Sequence, residues 1–530
     1  MSVKTTPAAT VRPRFDGERF TPWPLALFLA AVAGALYMLG FPPYGLWFLL
    51  PLALGLLNIA AFTRHWLTAG LSGIIAGLAA FVPLFEWANI YAGLTPWLAL
   101  ALLESLFFGA YAIVVRLIYV RHGIGFWSAL GAAFVWAAIE LARSTLPWGG
   151  LPWAISAFAY ESSPLLNFGP WVGTVGLGVV TGLLGAYVFS VLMALGVRRR
   201  RGRNGVMAVW PSAVIVAIVL AAVLTPRPSN EVPAHQQSLA IAAVQGNVEP
   251  PPPGSYYLPE AMFANHAAET ERFVATNPSA RLIVWPEDST GWALPEDPAR
   301  LAVLERLSRE AGAPLLVGGQ VPHGEGERLN KSFLVSDEGL TGQEYAKQHP
   351  VPFGEYIPAR DFFSRLTDKT DLVSVDMAAG TEVGDIRVDD VQVGVLICFE
   401  IAYEDLVRTS VQEGSEVIVV QSNNALFGSS HEAIQQLAQA RVFSVISGRS
   451  IVHVSTVGHS AIFTPEGRVL DSLDHWTAGT MSADVPLRSG ITPAMRYGEL
   501  ISLITVVIAV AALARAVATR ARMDDERRRP

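Results

Sequence analysis

Four short segments in the second half of the chain place polar or charged residues directly at expected strand ends. Val284-Trp285-Pro286-Glu287-Asp288-Ser289 stops an apolar run at a proline and delivers a carboxylate. Tyr345-Ala346-Lys347 is followed by Pro350-Val351-Pro352-Phe353-Gly354-Glu355, so a second carboxylate stands eight residues beyond the lysine. Gly394-Val395-Leu396-Ile397-Cys398-Phe399-Glu400 ends in the one cysteine of the chain, and Gln421-Ser422-Asn423-Asn424-Ala425-Leu426-Phe427-Gly428 runs into a polar turn. A thiol with a pKa of about 8.5 is mostly protonated at neutral pH, so it needs a base and a nearby cation to act as a nucleophile. A buried Glu can supply the base, and a Lys can stabilise both the thiolate and the oxyanion formed when a carbonyl is attacked. The backbone N–H of Phe399, just after the thiol, is a second oxyanion donor. Each residue also has a plainer reading: Glu287 as a helix cap, Lys347 as a surface charge, Glu355 as an ion-pair partner, Cys398 as a small buried group.

The elements that must position these groups are readable from apolar patterning. Nearly continuous apolar runs predict buried strands at Ser238–Val244, Arg281–Trp285, Pro314–Val317, Lys331–Val335, Val391–Cys398, Glu416–Gln421 and Ile451–Thr456. Helices fit between them at about 259–276, 297–311, 402–413 and 430–446, which indicates a layered α/β domain. The proline run at 250–253 reads as a loop or a short polyproline segment.

The rest of the chain has a different character. Of 530 residues, 52% are hydrophobic and 16% charged, against about 25% charged in an average soluble domain. The excess lies before residue 226, in apolar runs near the length that spans a ~30 Å hydrocarbon core. Eight spans are expected, at roughly 25–40, 44–62, 66–84, 94–119, 124–142, 171–196, 206–225 and 498–518. Arg12, Arg14, Arg19, Arg64, Arg116, Arg121, Arg198 to Arg201, Arg203, Arg520, Arg522 and Arg527 to Arg529 fall in alternate connections. The positive-inside rule then places both termini in the cytoplasm and residues 226–496 outside. The first span is expected to serve as its own signal. Glu104 and Glu140, within spans, can line a polar pathway or serve helix packing. A net charge of −7 argues against a nucleic-acid partner. His349, His431, His453 and His459 lack metal-ligand spacing, and no glycine-rich nucleotide loop is present, so neither metal nor cofactor is expected.

The order of WPE, Tyr-x-Lys with Pro-Phe-Gly-Glu, and Cys-Phe-Glu resembles the Glu-Lys-Cys triad of the nitrilase superfamily. Over nearly its full length the chain is similar to the bacterial apolipoprotein N-acyltransferase family, including Gln245-Gly246-Asn247, Leu146-Pro147-Trp148, Thr492-Pro493 and Arg496-Tyr497-Gly498-Glu499. The resemblance implies an eight-span helical membrane bundle carrying an α-β-β-α sandwich domain. Residues 1–225 would hold seven spans, 226–496 the catalytic domain, and 497–530 the last span and a cytoplasmic tail. It implies Glu287 as general base, Lys347 as stabiliser of oxyanion and thiolate, and Cys398 as nucleophile, with Glu355, Phe399 and Glu400 in support.

The implied reaction is a two-step acyl transfer at the outer face of the bacterial cytoplasmic membrane. A phospholipid donates an acyl chain to Cys398, and the α-amino group of a diacylglyceryl-modified apolipoprotein accepts it; the enzyme would be a monomer. Glu287 would take the thiol proton, return it to the leaving alcohol and then deprotonate the amine. Phe353, Ile357, Phe362, Phe363, Leu426 and Phe427 either meet lipid or pack in the core. Two other readings remain: a membrane-tethered hydrolase with water as acceptor, and a transporter or scaffold with a catalytically dead outer domain. The chain departs from the family where Phe399 replaces a common Tyr, where Asn424 and Leu426 replace Asp and Trp of a shared turn, and where 248–257 lacks a Trp.

Overall fold

The computed structural model describes residues 20–201, 206–227, 237–249, 259–276 and 279–528. Arg12, Arg14, Arg19, Arg203, Arg529 and the proline run at 250–253 lie outside these residues. The apolar first half folds into α1 (Trp23–Leu39), α2 (Leu49–Ala61), α3 (Trp66–Leu84), α4 (Glu86–Ala92), α5 (Leu94–His122), α6 (Phe126–Arg143), α7 (Gly169–Arg201) and α8 (Val206–Leu224). Among the described residues, five helices are long and apolar enough to cross a membrane: Trp66–Leu84, Leu94–His122, Phe126–Arg143, Pro164–Gly196 and Pro493–Thr519. Trp23–Leu39, Leu49–Ala61 and Val209–Leu224 are apolar but shorter. Helix α4 occupies a stretch expected to be a bare connection.

Small residues let the helices approach closely. A Cβ on Gly73 would meet the backbone oxygen of Phe108 at 2.3 Å, which is how α3 and α5 pack backbone to backbone. Within this bundle Arg143, fully buried, donates to Glu104 at 2.9 Å and to the carbonyls of Leu151 and Trp153 at 3.2 and 2.6 Å. Glu140 accepts from the backbone N–H and hydroxyl of Ser156, both at 2.7 Å, and from Tyr37. These acids and the arginine therefore clamp the 151–156 connection onto the helices. Arg143→Ala strands Glu104 without its cation, so the expected cost is about 3–5 kcal/mol, read as a lowered midpoint of thermal unfolding in detergent.

The second half contains β1 (Ser238–Gln245), β2 (Leu282–Val284), β3 (Leu315–His323), β4 (Glu327–Ser336), β5 (Gly339–Ala346), β6 (Asp376–Met377), β7 (Asp385–Val388), β8 (Val391–Ile397), β9 (Val417–Ser422), β10 (Ser450–Ser455), β11 (Ser460–Phe463), β12 (Val469–Leu473) and β13 (Gly479–Pro486). Between them lie α9 (Pro259–Thr276), α10 (Pro298–Ala311), α11 (Arg360–Phe363), α12 (Glu404–Gln412) and α13 (Glu432–Ser447), and α14 (Pro493–Arg528) follows. One sheet runs β13-β1-β2-β3-β4-β5 with β6 beside β4; the other runs β12-β11-β10-β9-β8-β7. The centres are parallel, β1-β2-β3 and β8-β9-β10, and the flanking pairs β13-β1, β3-β4, β4-β5, β7-β8, β10-β11 and β11-β12 are antiparallel.

Strand alternation divides the core in two. Ile241, Ala243, Leu282, Val284 and Leu316 face the opposite sheet, while Ala242, Val244, Ile283, Trp285, Leu315 and Val317 face α9 and α10 through Phe273, Leu304 and Leu307. Both faces of these strands are dry, which explains their unbroken apolar sequences. Helices α12 and α13 cover the second sheet, completing four layers. Helix α10 shows how local sequence sets an end: Asp297 caps the N–H groups of Ala299 and Arg300, Pro298 opens the helix, and Gly312 closes it at φ 64°.

The expected central strands and four helices are present within a few residues. Strands β5, β6, β7, β11, β12 and β13 were not foreseen. Four of them, β5, β7, β12 and β13, alternate buried and exposed residues or lie open at sheet edges, so their polar sequences lack the apolar run that marks a central strand.

The two halves are packed together. Helix α14 returns to the bundle, where Gly131 of α6 meets Ala512. Glu404 accepts from the backbone N–H of Thr174 at 2.8 Å and from its hydroxyl. Gly173 beside it has φ 66°, and a Cβ there would lie 2.5 Å from the Glu404 carboxylate. Leu500, Leu503, Ile504, Val507 and Val510 of α14 remain exposed, an apolar stripe suited to lipid.

Candidate active site

Strands β2, β5, β8 and β9 each end at one of the four chemistry-bearing segments. The carboxyl ends of parallel strands are where open α/β sheets hold ligands. Here the two sheets face each other, so groups from both converge on one buried site.

Glu287 lies three residues beyond β2 and is 5% exposed. Its Oε1 accepts from Asn330 Nδ2 at 2.7 Å and faces Lys347 Nζ at 3.4 Å. Gly318 of β3 packs under it; a Cβ there would fall 2.8 Å from the Glu287 Cα. Lys347, 1% exposed, follows β5 and donates to Glu355 Oε1 at 2.6 Å. Glu355 in turn accepts from the Val351 N–H at 2.7 Å, which holds the 351–355 loop against the lysine.

Cys398 follows β8 directly, at the first residue of a 3-10 turn, with φ 57°. Left-handed backbone at a non-glycine residue costs on the order of 1–3 kcal/mol and concentrates at functional sites. Asp288 and Phe353, in two of the other segments, share this conformation at φ 57° and 61°. The sulfur accepts from Gln436 Nε2 of α13 at 3.6 Å.

Burial sets the protonation states. Desolvation raises the Glu287 carboxyl to about 7, against the pull of Lys347 and with a further push from Asp288 and Glu355. Burial alone lowers the Lys347 ammonium, but Glu355, Glu287 and Cys398 together outweigh it and hold it well above its ordinary value. The Cys398 thiol is pushed well up by desolvation and then by Glu287, with Lys347 opposing and Glu432 and Glu355 adding to the rise. The resting thiol is therefore neutral, and Lys347 does not by itself create a thiolate. Proton removal has to accompany attack.

Glu400 is a structural tie. Its two oxygens accept from Tyr345 Oη at 2.9 Å, the N–H groups of Gln348 and His349 at 2.7 and 3.1 Å, and the N–H of Ile397 at 2.8 Å. One side chain thus fixes the lysine segment to the cysteine turn. Glu400→Ala leaves several buried donors without an acceptor, at about 1–3 kcal/mol each. The expected result is a lowered unfolding midpoint together with slower acylation.

Phe399 turns toward the membrane half. It stacks on Trp153 at 4.6 Å and meets Trp87 of α4 edge-on at 5.6 Å, and Trp87 meets Phe427 at 5.5 Å. Trp153 also donates to Gln435 of α13 at 2.7 Å, and Tyr91 of α4 donates to the Gly354 carbonyl at 2.9 Å. Helix α4 and the 151–156 connection therefore roof the cysteine turn.

The expected lipid-facing residues divide. Ile357 is buried at 5% exposure, whereas Phe353 and Phe362 are exposed. Phe353 and Phe363 pack on Trp148 at 5.5 and 5.8 Å. Leu426 and Phe427 are half-buried. Sequence reasoning missed Asn330, Gln436 and Glu432. The pair on α13 carried no distinctive signal, since Gln435, Gln439 and Arg441 stand on the same helix and Gln435 and Gln439 have the same spacing.

This four-layer sandwich, with carboxylate, lysine and thiol at its strand ends, defines a carbon–nitrogen hydrolase domain. Residues 240–492 match the family model described as carbon-nitrogen hydrolase, and residues 33–187 match that of the apolipoprotein N-acyltransferase N-terminal domain. An apolipoprotein N-acyltransferase of Mycolicibacterium smegmatis is 31% identical over 91% of this chain and 84% of its own length. One from Geobacter metallireducens is 26% identical over 92% and 94%. The chain belongs to the apolipoprotein N-acyltransferase family. Among solved structures, an amidase from Nesterenkonia sp. aligns at 16% identity with a TM-score of 0.35, over 49% of this chain and 94% of that one.

Proposed function

We propose that this enzyme transfers an acyl chain from a membrane phospholipid, through a thioester on Cys398, to the α-amino group of a diacylglyceryl-cysteine at the N-terminus of an apolipoprotein. The meeting of Glu287, Lys347 and Cys398 beneath aromatic residues of the membrane half carries this reading. Cys398 Sγ attacks the ester carbonyl while Glu287 takes its proton. The carbonyl electrons move to oxygen, where the Lys347 ammonium and the Phe399 N–H stabilise the charge. The carbon–oxygen bond of the ester breaks, and Glu287 returns the proton to the departing lysophospholipid. The amine then attacks the thioester and restores the thiol. Glu355 keeps Lys347 in place, and Glu400 ties the lysine and cysteine segments.

Eight spans are part of this reading, three of them short, with seven in residues 1–225, the catalytic domain in 226–496, and the last span and a cytoplasmic tail in 497–530. The arginine distribution supports cytoplasmic termini and an outward-facing domain in a bacterial cytoplasmic membrane. The enzyme acts as a monomer. The test supplies purified full-length protein with acyl-labelled phospholipid and a diacylglyceryl-cysteine peptide. The expected products are acylated peptide and lysophospholipid in equal amounts. Labelled free fatty acid without acylated peptide would overturn the reading in favour of a membrane-tethered hydrolase.

A further inference from the structure

Glu432 is the first residue of α13 and is fully buried. Its Oε2 accepts from Asn424 Nδ2 at 2.6 Å, and among the described residues its buried Oε1 has no hydrogen-bond partner. The same Asn424 amide reaches Gln436 Oε1 at 3.0 Å, and Gln436 donates to the Cys398 sulfur. Glu432 and Gln436 thus occupy successive turns of one helix face, and that face looks onto the thiol. Glu432 is joined to the thiol through Asn424 and Gln436, and its charge acts on both Cys398 and Glu287, so it borders the same site.

The proposed reaction leaves one proton unassigned. The acceptor's α-amino group, with an ordinary pKa of about 7.7–8.0, arrives largely as an ammonium. Glu287 handles one proton in each half of the cycle, and an ammonium brings one more. We propose that Glu432 binds the α-ammonium of the acceptor through its free Oε1 and removes that extra proton. The inference rests on the N-acyltransferase reading above. The ammonium N–H bond breaks, its proton passes to Glu432, and its electron pair stays on nitrogen. Nitrogen attacks the thioester carbon, and the carbonyl electrons move to oxygen. Glu287, ionised after releasing the lysophospholipid, takes the second N–H proton. The C–S bond then breaks, its electrons remain on sulfur, and Glu287 protonates it. Glu432 afterwards yields its proton to solvent. Burial, with Glu287 adding, raises the Glu432 carboxyl to about 8, close to the amine it would serve.

The test compares the full-length enzyme with E432Q, whose amide keeps the shape of the carboxyl and still accepts from Asn424. The donor is labelled phosphatidylethanolamine. The acceptors are a diacylglyceryl-cysteine peptide and hydroxylamine, which is already neutral at pH 7. Transfer to the peptide is expected to fall about 10- to 100-fold, far more than lysophospholipid release in the first turnover, with hydroxylamine capture following that release. Glu432→Asp, which retains a carboxylate, should transfer faster than E432Q. Unchanged transfer to the peptide, or an equal fall with both acceptors, overturns the assignment. Wild-type enzyme that forms the thioester but acylates no peptide overturns instead the reading on which it rests.

Discussion

Cys398→Ala is expected to retain no acyl label when the purified protein meets acyl-labelled phospholipid, whereas the wild type carries one label that hydroxylamine releases. Without the nucleophile only binding and oxyanion stabilisation remain, so turnover should fall by at least about 10⁴-fold. The alanine variant should remain folded, because loss of one buried sulfur opens a small cavity, and alanine at this turn still bears the left-handed strain that Cys398 bears. Label retained by the alanine variant would place the covalent intermediate elsewhere and remove Cys398 from the mechanism.

Glu287→Gln is expected to slow acylation by about 10²–10⁴-fold, the usual weight of a general base. The loss should be near the top of that range. Burial and the surrounding carboxylates hold the Cys398 thiol neutral, so no standing thiolate can bypass the base. The wild-type rate has a defined pH dependence. Glu287 accepts a proton only when ionised, and its carboxyl sits at about 7. Acylation therefore rises with pH through that region and falls as the carboxyl protonates below it. The glutamine variant should lose this limb. First-turnover release of lysophospholipid across pH 5.5–8.5 measures it, and an unaltered limb in Glu287→Gln would assign the titration to another group.

Much of the site is legible in the order of residues along the chain. Trp-Pro-Glu and Cys-Phe-Glu each sit where an apolar strand must stop, because a strand buried on both faces cannot carry a charge within its length, whereas Tyr-x-Lys follows the polar edge strand β5. Local sequence thus located Glu287 and Cys398 at strand ends and placed Lys347 and Glu355 by the order of their motifs, and the helix signals around 259–276 and 297–311 were equally local. The arginine-rich connections and apolar runs marked a multi-pass membrane protein for the same reason, since span length and flanking charge are properties of contiguous residues. Edge strands such as β5 and β12 escaped because half of each faces solvent.

Tertiary structure alone decided what depends on distance through space. Asn330 reaches Glu287 from 43 residues away, and Gln436 reaches Cys398 from 38. Glu400 follows Cys398 by two residues in sequence, yet it serves the lysine loop, a role visible only in its bonds to Gln348 and His349. Arg143, Glu104 and Glu140 resemble isolated charges in apolar helices; folded, they hold the connection that presses Trp153 onto Phe399. Protonation followed the same division. The sequence determined which groups titrate, but a pKa responds to desolvation and to charges from every neighbouring segment, so only the assembled site shows a neutral thiol facing a carboxyl raised to about 7.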